Sequence, residues 1–301
     1  MGSGTFSASA YRAYTTTTRG KTTDEIYAAR NLHKNLNPKG VKIRESRDST
    51  DNPNSTPIIV ALDVTGSMGI LADAIAREGL GVLFNDILDR KPITDPHIMF
   101  MAVGDANFDS APLQVSQFEA DNRIVEQLTQ IFLEHGGGGN SFESYNLPWY
   151  FAAAHTEHDS IIKRAKRGYL FTVGDEEAPH ALTREQIETF IGDKLEREIS
   201  SEEMLADAKR KYDVFHIMIA EGDHARGHPE NVRQSWQNTL GQHAIWLTDH
   251  KKLAETIVGT IEVVEGRDAV KVKDRYGSAV YDAVKALPRS RGPKPLALPA
   301  A

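Results

Sequence analysis

Ile58-Ile59-Val60-Ala61-Leu62-Asp63-Val64-Thr65-Gly66-Ser67-Met68-Gly69 is the stretch on which the fold turns. An unbroken apolar run ends at a carboxylate, and two hydroxyl side chains follow at alternate positions. A run that is apolar at every residue reads as a strand covered on both faces. Ending in Asp63 and followed by Thr65 and Ser67, it presents hard oxygen donors at the carboxyl edge of a sheet, where open α/β sheets bind their ligands. Oxygen-only donors suit Mg²⁺, Ca²⁺ or Mn²⁺ rather than zinc. As a local pattern alone, Asp63 also fits a helix N-cap, with Thr65 and Ser67 as turn hydroxyls.

Beyond this run, strand and helix signals alternate. Gly69 to Leu88 carries apolar residues at helical spacing, and His97–Val103 reads as a second strand ending in Gly104-Asp105. Leu113–Phe118 reads as an edge-like third strand and Ala120–Glu134 as a helix. A glycine loop follows, from Gly136 to Ser144, and then a helix from Tyr145 to His155. Tyr169–Val173 is a fourth strand, ending in Gly174-Asp175-Glu176-Glu177. Asp213–Ala220 and Ala244–Leu247 are the fifth and sixth, with helices over Thr183–Ile191, Ser201–Lys211, Asn231–Leu240 and Leu253–Val264. Six strands alternating with helices predict an α/β fold: a doubly wound, mostly parallel six-stranded sheet with helices on both faces.

Residues 1–56 form a polar arm and linker, rich in Thr, Ser, Asn and Pro, with one short helix predicted over Asp24–Asn35. Residues 57–265 carry the α/β domain. Residues 266–301 are a C-terminal extension with one more amphipathic stretch, Ala279–Leu287, before a proline-rich end.

Composition excludes several function classes. The 301 residues contain no cysteine, so disulfides, thiol nucleophiles and zinc–thiolate sites are ruled out. Thirty-five basic and 42 acidic residues give a formal net charge of −7, which argues against a nucleic-acid footprint despite the cluster Lys163, Arg164, Lys166 and Arg167. No apolar run is long enough to span a bilayer, and the N-terminus lacks the pattern of a secretory signal, so a cytoplasmic protein is expected.

Three loops hold the candidate chemistry. The first carries Asp63, Thr65 and Ser67; the second carries Asn140, Ser141, Glu143 and Ser144; the third carries Asp175, Glu176 and Glu177. In a doubly wound sheet the first and fourth strands lie side by side where the strand order reverses, so Asp63 and Asp175 are predicted to reach one ion. Other signals are weaker. The glycine loop lacks the Gly-Lys-Ser/Thr ending of a phosphate-binding loop. Asp105 and Asp109 read as turn caps, with a second acidic rim as the alternative. His155 and His158 do not form a zinc motif, and His216 reads as a buried strand histidine. His224 and His228 are predicted to be exposed, and Trp149 and Tyr150 to be core. Ser67 does not sit in a nucleophile elbow.

Asp63-Val64-Thr65-Gly66-Ser67 resembles the Asp-x-Ser/Thr-x-Ser signature of von Willebrand factor A domains, and the resemblance covers about residues 57–265. It implies a metal-ion-dependent adhesion site in which Asp63, Thr65 and Ser67 are joined by a Thr of the second loop and an Asp after the fourth strand. Asp175 fits the last slot. The chain departs from the family at the Thr slot, where Ser141 is favoured because a hydroxyl replaces a hydroxyl, and Asn140 is the alternative. Phrases around Glu143-Ser144-Tyr145 and Tyr169–Glu176 are similar to uncharacterised bacterial and phage members. The implied function is non-enzymatic: Mg²⁺ with an open position that a partner's Asp or Glu completes, in a module that works beside a MoxR-type AAA+ ATPase. The alternatives are a metal-assisted hydrolase or phosphotransferase with Glu143 or Glu176 as general base, and a structural or assembly component.

Overall fold

The computed structural model describes residues 4–133 and 142–289, with the side chains of Ser67, Ala76 and Glu78 set aside. Among the described residues eight strands are formed: β1 (Arg44–Ser46), β2 (Thr56–Asp63), β3 (Pro96–Val103), β4 (Leu113–Val115), β5 (Thr156–His158), β6 (Gly168–Gly174), β7 (Tyr212–Ile219) and β8 (Ala244–Leu247). Six of them build one sheet in the order β4-β3-β2-β6-β7-β8, parallel throughout except for the antiparallel edge strand β4. The doubly wound α/β fold predicted from the sequence is the one observed.

The apolar runs explain the central position of β2 and β3, which are buried along their whole length. Side chains alternate between the two faces of a strand, and the cores divide accordingly. Ile58, Val60 and Leu62 join Phe100, Phe171 and Phe215 in one layer, against the helices Leu80–Arg90 and Leu253–Val264. Ile59 and Ala61 join Met101, Leu170 and Val214 in the other, against the helices Asn146–His155, Ser201–Lys211 and Pro229–Leu240. Each large apolar side chain so buried contributes roughly 1.5–3 kcal/mol.

From β2 the chain crosses to β3 on one side, and later to β6, β7 and β8 on the other. The reversal of strand order therefore falls between β2 and β6. Leu62 pairs with Val173, so Asp63 and Gly174 end neighbouring strands, and Asp175 follows directly.

The structure corrects several local expectations. The helix predicted over Gly69–Leu88 is broken into Gly69–Ala74 and Leu80–Arg90 by a π-helical turn at Ile75–Gly79. A Cβ on Gly79 would stand 2.9 Å from Ile75 Cδ1 and 3.3 Å from the Cβ of Ala254, so the turn lies where two helices pass closely. The helix predicted over Asp24–Asn35 is a single turn, Thr23–Ile26, closed by a Thr22–Glu25 capping box. An unpredicted helix, Ala8–Thr18, precedes it, and its threonines return their hydroxyls to carbonyls three or four residues back.

Residues 4–56 pack on the sheet domain. Tyr11, Tyr27 and Leu36 are buried, the Phe6 ring stacks on Phe84 at 4.4 Å, and the Tyr27 hydroxyl donates to the Ala72 carbonyl at 2.6 Å. Gly81 makes room for this: a Cβ there would stand 2.7 Å from the Tyr11 ring. A separate two-stranded parallel sheet, β1 with β5, ties the same segment to the domain.

Candidate metal centre

Asp63 is the last residue of β2 and is fully buried. Its Oδ1 accepts from the Thr65 backbone N–H at 2.9 Å and lies 2.8 Å from Thr65 Oγ1; its Oδ2 accepts from the Tyr145 hydroxyl at 3.1 Å. Gly66, at φ +44°, turns the chain back after Thr65 into a short 3-10 turn, Gly66–Met68, which carries Ser67.

The second loop arrives beside the first. Glu143 is buried, and its Oε1 lies 3.1 Å from the same Thr65 hydroxyl. A hydroxyl has one hydrogen, so it cannot donate to Asp63 and Glu143 together. Either one carboxyl carries a proton or a cation takes its place between them. Glu143 Oε2 is buried and has no hydrogen-bond partner among the described residues.

Two tethers fix this loop against the loop after β3. The Ser144 N–H donates to the Gly104 carbonyl at 3.1 Å, and the Ala106 N–H donates to Ser144 Oγ at 2.9 Å. Asp105 is buried there, and Asp109 accepts from the Asp105 N–H at 2.6 Å. A Cβ on Gly104 would stand 2.4 Å from Asp109 Oδ2 and 3.3 Å from Thr65 Cγ2, so Asp109 lies against the first loop. Phe142 bridges to Glu177 and joins the second loop to the third.

Asp175 is buried and accepts from the His224 backbone N–H at 2.9 Å. Gly222 is required for that approach, because a Cβ there would fall 2.3–2.4 Å from the Asp175 side chain. Gly174 is required in the same way. A Cβ there would stand 1.9 Å from the Tyr145 hydroxyl oxygen and 2.9 Å from Asp63 Oδ2.

The electrostatics follow from collecting acids in one buried corner. Burial pushes Asp63 up to about 7, with the Asp175 charge adding to the rise. Burial pushes Glu143 up to about 10, with Asp63, Asp109 and Asp105 adding. Glu176 rises to about 8 by burial and then by Asp175, Asp63 and Glu177, and Asp175 is raised by burial. Desolvation and like charge both disfavour ionisation. The donor set is carboxylate and hydroxyl oxygen, it carries excess negative charge, and it includes the buried Oε2 atoms of Glu143 and Glu176, neither with a hydrogen-bond partner among the described residues. These are the properties that a hard divalent cation matches.

Of the residues named from sequence, the structure brings Asp63, Thr65 and Asp175 to one edge of the sheet, with Glu143 and Glu176. Asn140, Ser141 and the glycines before them lie outside the described residues, as does the Ser67 side chain. Tyr145 and His224 were not singled out for the site. The hydroxyl of Tyr145 orients Asp63. His224, predicted to be exposed, has its ring 3.5 Å from Glu176 and 3.7 Å from Glu177, with 14% of the side chain accessible. The short helix Asp223–Gly227, begun at Gly222, turns it inward. No linear signal marked either residue, since each joins the site through strand order rather than spacing.

The remaining candidates have structural roles. His216 stacks on Trp236 at 3.5 Å and bonds Thr172, and Trp149 and Tyr150 are buried. His155 bridges Asp193 and the Lys42 carbonyl. Lys163, Arg164, Lys166 and Arg167 each pair with carboxylates, namely Asp48, Asp159, Glu265 and Asp213. A second group, Glu221, Asp249 and His250, gathers near the ends of β7 and β8. There, Glu221 Oε2 already takes the His250 N–H at 2.7 Å and lies 2.8 Å from its Nδ1.

No family model and no curated protein matches the chain. Among solved structures it is similar to the pilus adhesin SpaC from Lactobacillus rhamnosus GG in its open conformation. That match has 8% identity and a TM-score of 0.46, and covers 73% of this chain and 31% of the adhesin. It is also similar to a von Willebrand factor type A protein from Catenulispora acidiphila, at 13% identity and a TM-score of 0.38, covering 78% of this chain and 49% of that one. The chain thus spans about a third to a half of the length of these structures.

Proposed function

We propose that the chain is a metal-ion-dependent protein-interaction module of the von Willebrand factor A type. The observation that carries this reading is the corner formed by Asp63, Thr65, Glu143 and Asp175 at the reversal of strand order, where buried acids accumulate side by side. Asp63, Thr65 and Asp175 hold Mg²⁺ in this reading, with Ca²⁺ or Mn²⁺ as substitutes; Ser67 and Ser141 complete the set on the resemblance. A bound cation there supplies an electrophilic open position for a carboxylate from outside the chain.

The protein's own groups prepare that position. Tyr145 and the Thr65 N–H fix both oxygens of Asp63. Glu143 takes up or releases a proton as charge in the corner changes, and the His224 ring lies against Glu176 and Glu177 behind Asp175. Two large apolar side chains flank the corner in sequence and are exposed: Ile70, just after the first loop, at 43%, and Phe108, between Asp105 and Asp109, at 62%. Apolar side chains beside a polar anchor are a common make-up for a docking surface. The partner is then a protein offering Asp or Glu, and a MoxR-type AAA+ ATPase is the candidate implied by the resemblance. Among the described residues no helix is long and apolar enough to cross a membrane.

Titration of Mg²⁺ into metal-free protein, followed by calorimetry and thermal unfolding, tests the reading. Wild type is expected to bind one cation and gain thermal stability, and Asp63→Ala to do neither. Identical behaviour of the two proteins would overturn the metal site.

A further inference from the structure

The loop that carries Asp175 is held from behind by a helix outside the three loops of the corner. On that helix, Pro229–Leu240, Trp236 is buried and its Nε1–H donates to the Glu176 carbonyl at 2.9 Å. The residue before it, Ser235, accepts from the Ala178 N–H at 2.7 Å through its hydroxyl oxygen. Asp175 therefore lies between two fixed points. On one side Gly174 pairs with Met218 in the sheet, and on the other Glu176 is tied to the indole.

The same indole meets the residue that orients Asp63. The Tyr145 ring, whose hydroxyl donates to Asp63 Oδ2 at 3.1 Å, stands edge-on to Trp236 with ring centroids 5.5 Å apart. His216 completes the cluster. It stacks on Trp236 at 3.5 Å, stands edge-on to Tyr145 at 4.9 Å, and has its Nδ1 2.9 Å from the Thr172 hydroxyl. A tryptophan suits this place, because it joins a large apolar face to an N–H that only donates. Trp149 also stands edge-on to Trp236, at 6.1 Å, but its Nε1–H has no hydrogen-bond partner among the described residues.

Such a clamp answers an electrostatic problem. The charges of Asp63 and Asp175 oppose one another, whereas a cation site needs its ligands held within about 0.5 Å of the bonding geometry. We propose that Trp236 is a positioning residue for the metal corner, keeping the Asp175 loop beside Asp63 for a shared cation. The proposal rests on the metal reading above and adds to it a helix that supplies no ligand.

Calorimetric titration of Mg²⁺ into the metal-free full chain, with tryptophan emission as a second readout, tests it. Trp236→Phe keeps a ring against His216 and loses the N–H. It is expected to bind Mg²⁺ about tenfold more weakly than wild type, the scale of losing a residue that orients a metal ligand. Ser235→Ala, at a half-buried position, is expected to weaken binding about threefold, as for one lost hydrogen bond. Trp149→Phe alters an equally buried indole of the same cluster that makes no bond to the loops. It is expected to bind Mg²⁺ as wild type does. With Trp149 and Trp246 both replaced by Phe, the emission of Trp236 is expected to shift on addition of Mg²⁺, and the shift to vanish when Asp63→Ala is added. Wild-type affinity in Trp236→Phe and Ser235→Ala would overturn the proposal. So would equal weakening by Trp149→Phe, which would mark a general loss of packing. If Trp236→Phe does not fold, the affinity of Ser235→Ala and the emission of Trp236 decide. Failure of wild type to bind Mg²⁺ is a separate result, which overturns the metal site and this proposal with it.

Discussion

The two ends of the central sheet treat carboxylates in opposite ways. At the end where β2 and β6 begin, Asp48 takes the Arg164 guanidinium at 2.8 Å and the Ser55 hydroxyl at 2.8 Å, and Asp159 takes Arg47 at 3.0 Å and Lys163 at 2.7 Å. Arg47 also bonds Glu45 and Glu157, and so ties β1 to β5. These partners hold Asp48 and Asp159 below the usual carboxylate range, although burial pushes the other way. At the end where β2 and β6 finish, Asp63, Glu143, Asp175 and Glu176 all rise. The acids are of the same kind, but those of the second group are more deeply buried. Beyond that, the first group folds with its own cations and the second group folds around other acids. Carboxylates that serve only stability are neutralised within the chain. Perturbed acids gathered at the loop edge of an α/β sheet mark a candidate site, and a charge from outside is the compensation proposed for this corner.

Neutralising one acid at each end breaks the comparison most directly. Asp48→Asn removes the partner of Arg164 and is expected to cost about 2–3 kcal/mol, because a half-buried guanidinium loses its counter-charge. Chemical denaturation at pH 7.5 measures it. Asp63→Asn, the same chemical change, is expected to act with the opposite sign in metal-free protein. It should stabilise by about 1 kcal/mol, since an amide removes like-charge repulsion, keeps its oxygen for Thr65 and turns its NH₂ to the Tyr145 hydroxyl oxygen. Destabilisation by Asp63→Asn in metal-free protein would show that the corner is balanced after all.

The pH dependence sharpens the contrast. Asp48 and Asp159 have folded pKa values below their unfolded ones. Their contribution is present above pH 4 and is lost as pH falls through the folded values. The folded pKa values of Asp63, Glu143 and Glu176 lie above their unfolded ones, at about 7, 10 and 8. The native state binds more protons between pH 4 and these values, so metal-free protein is expected to lose stability as pH rises from about 4 to 8. Saturating Mg²⁺ should flatten that slope, because the cation replaces the protons. Urea unfolding at pH 5 and pH 8, with and without Mg²⁺, measures both limbs, and an identical slope with the metal would break the link between the corner and cation binding.

Much of the fold was legible in the residues. The fully apolar runs of β2 and β3 and the turn at each strand end mark a buried parallel sheet, and all six strands of that sheet were readable from periodicity. Asp63 and Asp175 were readable as a pair because each closes a strand and the doubly wound order puts those strands together. The π-helical turn at Ile75–Gly79 was not legible, since the apolar spacing continues through it. Nor were β1 and β5, three residues each and distant in sequence, whose pairing rests on Arg47 and its acids.

The chain's linear pattern was enough to establish the α/β class, the position of the reversal, and the oxygen-rich loop of Asp63 and Thr65, because strand periodicity and strand-end residues are local properties. That Glu143 and Tyr145 meet Asp63, that Gly174 and Gly222 must lack a Cβ, and that His224 turns inward depend on which loops the strand order brings to one edge. The same holds for the electrostatics. A carboxylate's charge state depends on burial and neighbours, and only the assembled structure shows that Asp48 and Asp159 lie against Arg and Lys side chains, while Asp63 and Glu143 lie deeper and among further acids.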